Sequence, residues 1–262
     1  MNFPRKTLSV VKIKAYNNDY CHLYDFIVEI PTVFDQSGEI IYEDRNTIRR
    51  VNAPDGSIIN VKRYCKPKGI NRFVYSMGIR KPKGERAFYY PALIEKMGIA
   101  TPTPIAYIEE RHCGILAYTW FVSVHWPYEH TMKDVVKFQG RSEETLARKF
   151  GRFTAVIHKK GLIHPDYSPG NILFQITENE DYLFALVDTN RMRFGNRISI
   201  RDGIRNLRRL WGSKCFFITV VDEYVRARGA IPEEWIKYAL DVRAKFWTKY
   251  GKRHNIPFEI EL

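Results

Sequence analysis

One segment constrains this chain more than any other: Gly161-Leu-Ile-His164-Pro-Asp166-Tyr-Ser-Pro-Gly-Asn171-Ile-Leu-Phe174. A helical pattern leads into it. Leu146, Phe150, Phe153 and Ile157 recur at i, i+4, i+7 and i+11, which is one buried face. Ser142 is the expected cap, with Glu143 and Glu144 in the first turn, and Gly161 is the expected stop. Two short apolar strands follow the loop, Ile172–Gln175 and Tyr182–Val187, and the second ends at Asp188, seventeen residues beyond Asn171. A lone His-x-Asp pair carries no information, and asparagine in a loop is usually a turn residue. The constraint lies in the order: helix, His-x-Asp-x-x-x-x-Asn loop, hairpin, strand-terminal acid.

Phosphoryl transfer needs those residue types. It uses a carboxylate at the attacking hydroxyl and two oxygen ligands for the Mg²⁺ that rides on the nucleotide phosphates. Asp166 is expected to orient the acceptor hydroxyl and take its proton, and Asn171 and Asp188 to hold the metal. His164 is expected to brace the loop. Ile59-Asn-Val-Lys62 ends a strand where a kinase-type fold places the lysine that contacts nucleotide phosphate. Glu85 is the candidate acid to pair with Lys62, ahead of Glu95 and Glu43. No Gly-x-x-x-x-Gly-Lys run occurs, which excludes a P-loop NTPase.

The first half reads mostly as strand. Glu39–Tyr42, Thr47–Val51 and Ser57–Val61 are β-branched runs, and Asp55-Gly56 signals a hairpin between the second and third. A helix is expected from Glu85 to Met97, stopped by Gly98, with Pro91 blurring its bounds. Two more strands follow, Ile105–Glu109 and Gly114–Val124. The second half is mainly helical, and Pro232 opens a helix with Trp235, Ala239, Val242 and Phe246 on one stripe. The fold class is α+β, with a β-rich N-lobe over residues 1–121 and a mainly helical C-lobe over 122–262.

Composition narrows the setting. Across 262 residues, 45% hydrophobic and 27% charged content is that of a globular protein rather than a disordered one. Cys21, Cys65, Cys113 and Cys215 lie at least 44 residues apart, so there is no Cys-x-x-Cys metal or redox motif, and a reducing cytoplasm is expected. The first eleven residues lack a signal-peptide pattern, and the stretch Gly114–Val124 falls short of the ~18 residues a membrane span needs. A cytoplasmic chain, soluble or peripheral, is expected.

The chain resembles the protein-kinase-like superfamily, and within it the lipopolysaccharide kinase family that phosphorylates Kdo or heptose in the lipid A–core region. The resemblance runs from about Gly38 to Arg209. It rests on Val61-Lys-Arg63, Gly98-Ile-Ala-Thr-Pro-Thr-Pro-Ile-Ala-Tyr-Ile-Glu109, His164-Pro-Asp-Tyr-Ser-Pro-Gly-Asn171 and Val187-Asp-Thr-Asn-Arg191. It implies a two-lobed protein-kinase-like fold, ATP and Mg²⁺ as cofactors, and a sugar hydroxyl as acceptor. There are departures. The glycine-rich phosphate loop is replaced by Glu43-Asp-Arg-Asn-Thr47, so Arg45 and backbone amides are expected to serve the phosphates. Pro165 stands where protein kinases have arginine, Ser168 where many have the catalytic-loop lysine, and Thr189-Asn190 where they have Phe-Gly. The resemblance places the family's helix acid where Tyr89 stands here, which counts against Glu85 as that acid.

The formal net charge of +13 is unevenly distributed. Residues 45–86 carry twelve Lys+Arg against two Asp+Glu, and residues 191–209 carry seven arginines against Asp202, leaving −3 for the remainder. Guanidinium forks bind phosphate and carboxylate bidentately, so Arg191, Arg193 and Arg197 are expected to meet an anionic sugar or glycolipid acceptor. A polybasic surface also suits an anionic membrane, here the cytoplasmic face of the inner membrane, and nucleic acid is disfavoured. The rivals are a phosphotransferase for aminoglycoside or choline, a small atypical protein kinase, and a pseudokinase or basic binding module without activity.

Overall fold

The β-branched runs of the first half assemble into one antiparallel sheet. In chain order the elements are β1 (Ser9–Tyr16), α1 (Tyr24–Val33), β2 (Glu39–Glu43), β3 (Thr47–Asn52), β4 (Ile58–Tyr64), α2 (Ile70–Ser76), α3 (Lys83–Lys96), β5 (Pro104–His112) and β6 (Ile115–Val124). The strand order is β1-β5-β6-β4-β3-β2. The computed structural model describes residues 9–195, 197–256 and 258–260. It divides into two compact units, one running to Lys96 and including Pro102–Trp126, the other comprising Met97–Thr101 and the chain from Pro127.

Alternation along β4 sorts this sheet into two faces. Ile59 and Val61 join Ala106, Ile108, Trp120 and Val122 on one face, which Leu23, Ile27, Ile30 and Phe34 of α1 and its flanks close off. Residues 9–35 thus build an edge strand and a covering helix. On the other face, Lys62 lies opposite Phe121, and Tyr64 opposite Thr119. There α3 packs through Gly84, where a Cβ would come within 2.7 Å of the Tyr107 ring. The expected hairpin forms at Asp55-Gly56: Gly56 has φ +84°, and Asp55 accepts from the Ser57 amide at 2.9 Å. Helix α3 continues through Pro91, and Gly98 beyond it has φ +68°.

The second unit holds β7 (His130–Thr131), α4 (Gly140–Lys159), β8 (Leu162–Ile163), β9 (Ile172–Ile176), β10 (Tyr182–Leu186), β11 (Arg193–Phe194), α5 (Ile200–Leu207), α6 (Lys214–Ala227) and α7 (Glu233–Gly251). β10, β9 and β7 form one small sheet, and β11 pairs with β8. Helix α4 buries Leu146, Phe150 and Ile157 as expected, with Phe153 stacked 5.0 Å from Phe184. It begins earlier than expected, so Ser142 is no cap: its hydroxyl donates back to the Gln139 carbonyl at 2.9 Å. The β-branched run 214–227 is a helix, capped by Ser213, whose Oγ accepts from the Phe216 amide at 2.9 Å. In α7 the buried stripe is Ala239, Arg243 and Trp247, turned from the expected one. Arg243 is accommodated there by donating to the carbonyls of Gly212 at 2.6 Å and Ser213 at 3.3 Å.

Candidate active site

The loop between β8 and β9 is held by its own side chains. His164 is fully buried, and its two ring nitrogens face different partners. Nε2 donates to the Val187 carbonyl at 3.0 Å, and Nδ1 accepts from the Asp166 amide at 3.2 Å. Those partners fix the neutral tautomer, and burial pulls the His164 pKa down, which keeps it neutral. Asn171 Nδ2 donates to the Asp166 carbonyl at 2.9 Å and to Ser168 Oγ at 3.2 Å. The Val187 amide returns to the Asn171 carbonyl at 3.0 Å. Asp188, next in the chain, has left-handed backbone angles, φ 55° and ψ 43°, and accepts from the Asn190 side-chain amide. A non-glycine residue held there carries backbone strain of the kind found at functional sites. Asp166, Asn171 and Asp188 are thereby gathered around one imidazole and one backbone exchange.

Beneath the loop runs a buried polar chain that links it to three helices. Arg228 donates to the Tyr224 hydroxyl at 2.8 Å, and that hydroxyl lies 3.1 Å from His158 Nδ1. His158 Nε2 lies 3.2 Å from Asn206 Oδ1, and Asn206 Nδ2 donates to the His164 carbonyl at 2.9 Å. Because the Asn206 amide nitrogen is committed to His164, His158 Nε2 is the donor to Oδ1. Burial pulls the His158 pKa down to about 4, so this imidazole too is neutral. Satisfied polar networks of this kind fix a single arrangement of the groups above them.

Two cations that the sequence reading did not single out reach the loop. Arg209, just after α5, forms an ion pair with Asp166 Oδ1 and lies 5.5 Å from the Phe246 ring centroid. Lys133, in the turn after β7, sits so close that a Cβ on Gly170 would lie 3.0 Å from its Cε. The arginine-rich composition of 191–209 was the available signal for Arg209, but composition does not rank positions. Lys133 gave none, because it lies 33 residues upstream of Asp166. The arginines chosen from that segment are all exposed. Arg191 closes the turn after Asp188, Arg193 lies on β11 opposite Ile163, and Arg197 precedes α5.

The other expected site residues belong to the sheet-bearing unit. Lys62 projects on the face of β4 that α3 covers, with Nζ 5.1 Å from the Tyr64 ring centroid. Glu85, in the first turn of α3, pairs with Lys81 at 3.1 Å. Arg45 is exposed in the turn between β2 and β3. A further acid shares the Lys62 face: Glu109 is buried, with one oxygen accepting from Tyr107 at 2.6 Å and the other from Arg111 at 2.9 Å. Both of its oxygens are committed within the sheet, which makes it a structural group.

The donor set fits a magnesium ion carried on phosphates. Mg²⁺ takes one or two protein oxygens and completes its shell with phosphate and water. With Nδ2 of Asn171 committed to the loop, its side-chain oxygen is the atom that could serve as a hard ligand, and Asp188 supplies a carboxylate. Among the described residues, no cluster of three His, Cys, Asp or Glu side chains could hold a metal without such help.

Comparison with known proteins separates sequence from shape. No family model matches the chain, and no curated protein matches its sequence. Solved structures do match. WaaP in complex with acyl carrier protein superposes with a TM-score of 0.58 at 15% identity, over 94% of this chain and 100% of that one. The Rio2 kinase of Chaetomium thermophilum, as an ADP/Mg²⁺-phosphoaspartate complex, gives 0.50 at 14% identity, over 90% and 76% of the two chains. A second structure of the same kinase gives 0.51 at 14% identity, over 87% and 77%. The chain therefore has the protein-kinase-like fold that its catalytic-loop pattern led us to expect.

Proposed function

We propose that the protein is an ATP-dependent kinase that transfers the γ-phosphate to a sugar hydroxyl, Kdo or heptose, of a lipopolysaccharide inner-core or lipid A precursor. The observation that carries this reading is the gathering of Asp166, Asn171 and Asp188 by His164 and the Val187 backbone, in a protein-kinase-like fold. Asp166 orients the acceptor hydroxyl and takes its proton. Asn171 and Asp188 hold Mg²⁺, which offsets charge on the phosphates. Lys62, supported by Glu85, contacts the nucleotide phosphates, and Arg45 with neighbouring amides takes the place of a glycine-rich loop. Arg191, Arg193 and Arg197 meet the anionic groups of the acceptor. The residues to 121 serve the nucleotide and those from 122 the acceptor. An anionic membrane surface, the cytoplasmic face of the inner membrane, is the place where such an acceptor is found. Among the described residues, no helix is long and apolar enough to cross a membrane.

Replacing Asp166 with alanine is expected to abolish transfer while leaving Mg-ATP binding within about twofold, since the acid acts on the acceptor and not on the nucleotide. Undiminished turnover would remove Asp166 from its role. The likeness to Rio2, solved with phosphoaspartate, favours a second reading as a small atypical protein kinase. Labelling of the protein itself from ATP, without sugar acceptor, distinguishes that reading.

A further inference from the structure

Helix α2 shows opposite chemistry on its two sides. Its inner side is tied to the sheet: Tyr75 is buried, Ser76 Oγ accepts from the Leu116 amide at 2.9 Å, and Arg111 donates to the Ser76 carbonyl at 3.2 Å. Its outer side and the turn after it present Ile70, Phe73, Met77 and Ile79, which are 79%, 64%, 67% and 72% exposed. Ile70, Phe73 and Met77 follow i, i+3, i+7 spacing, one ridge of the helix. Isolated exposed apolar side chains are ordinary, but four within ten residues at such exposure mark an interaction surface.

Charge identifies the occupant. Residues 66–83 contain Lys66, Lys68, Arg72, Arg80, Lys81 and Lys83 and no aspartate or glutamate. Arg72 turns inward to donate to the Leu116 carbonyl at 3.3 Å and Lys81 pairs with Glu85, while Lys66, Lys68 and Arg80 are exposed. A nucleic acid would use the cations but has no place for two isoleucines and a methionine. A protein partner would meet an interface rich in lysine, the residue that protein interfaces avoid. An anionic bilayer takes both features. Apolar side chains on a short helix sink to the acyl boundary, and lysines around them meet phosphate headgroups.

We infer that α2 and the turn after it are a membrane-docking element, inserting Ile70, Phe73, Met77 and Ile79 into the interface of an anionic phospholipid bilayer while the exposed Lys66, Lys68 and Arg80 bind headgroup phosphates. This goes beyond the phosphoryl-transfer reading and holds whatever the acceptor is. The element would bring the sheet-bearing unit to the lipid surface in which an anionic glycolipid is embedded.

The test is co-sedimentation of the full chain with phosphatidylcholine vesicles containing phosphatidylglycerol, against pure phosphatidylcholine vesicles. The wild-type chain is expected to bind the anionic vesicles only, and to lose affinity as salt rises. The F73S/M77S double variant is expected to bind about tenfold or more weakly while keeping the wild-type melting temperature, since both side chains are exposed. A tryptophan at position 73 (Phe73→Trp) is expected to shift to the blue on binding and be quenched by brominated acyl chains. Equal binding by F73S/M77S, or no quenching at position 73 in the bound protein, would overturn the proposal, as would failure to bind anionic vesicles. A photo-crosslinker at position 73 that in host membranes labels a protein instead of lipid would overturn it in favour of a protein interface. Loss of Asp166-dependent transfer in any arm bears on the kinase reading alone, because vesicle binding needs no nucleotide.

Discussion

Asp166 meets its counter-charge from outside its own loop. Many protein kinases place a lysine two residues after the catalytic aspartate; here that position is Ser168, and the cation beside Asp166 is Arg209, after α5. In the proposed reading, this ion pair holds the carboxylate in place until an acceptor hydroxyl arrives. Arg209→Ala is expected to lower kcat by about tenfold to a hundredfold with little change in the KM for ATP, because only charge placement at the base changes. Arg209→Lys should recover part of the loss, and a variant that raised only the KM for ATP would contradict this role. The buried imidazoles give a second prediction at this scale. A histidine whose folded pKa lies below its unfolded value destabilises as pH falls, because the unfolded chain takes the proton first. For His158 the window runs from about 6.5 down to about 4: stability is full above it and lost through it. The cost between pH 7 and pH 5 is about 2 kcal/mol, and burial of His164 acts in the same direction. Urea unfolding of wild type and His158→Gln at both pH values checks this; equal pH dependence in the two would contradict it.

At the scale of elements, α4 and α6 meet through a glycine. A Cβ on Gly151 would lie 2.6 Å from the Val220 carbonyl oxygen and 3.1 Å from the Tyr224 amide, backbone atoms with little room to give. Gly151→Ala is therefore expected to cost about 2–3 kcal/mol by calorimetry or denaturant unfolding, from overpacking. A neutral effect would show that the two helices can separate. This pair also marks what the sequence could reveal. Helix α4 was legible because Leu146, Phe150 and Ile157 repeat at helical spacing, and the hairpin at Asp55-Gly56 because only that turn type asks for those residues. Helix α6 was not: Phe216, Phe217, Ile218, Val220 and Val221 are strand-favouring side chains, and tertiary packing overrides such preferences. Arg243 carries no such signal in the sequence, because a cation on an apolar stripe is normally solvated, whereas two loop carbonyls receive it here. Within the candidate site, residues bound to a local pattern could be named in advance. Arg209 and Lys133 could not, since chain folding alone brings them to the loop.

For the whole molecule, the positive charge is organised rather than diffuse. One basic stretch spans Lys62 and the exposed ridge of α2, another follows Asp188 and ends at Arg209, and the rest of the chain is slightly acidic. That distribution suits the proposed transfer to an anionic acceptor at a lipid surface, and under that proposal a cationic acceptor such as an aminoglycoside is a poor match. The most direct measurement is incubation of the purified chain with Mg-ATP and lipid A–core precursors from its own host, followed by mass spectrometry of the glycolipid. The account predicts a precursor bearing one added phosphate on a sugar, formed by wild type and absent with the Asp166→Ala variant. A precursor left unmodified by an enzyme shown to bind Mg-ATP, or phosphate appearing equally with the variant, would contradict it.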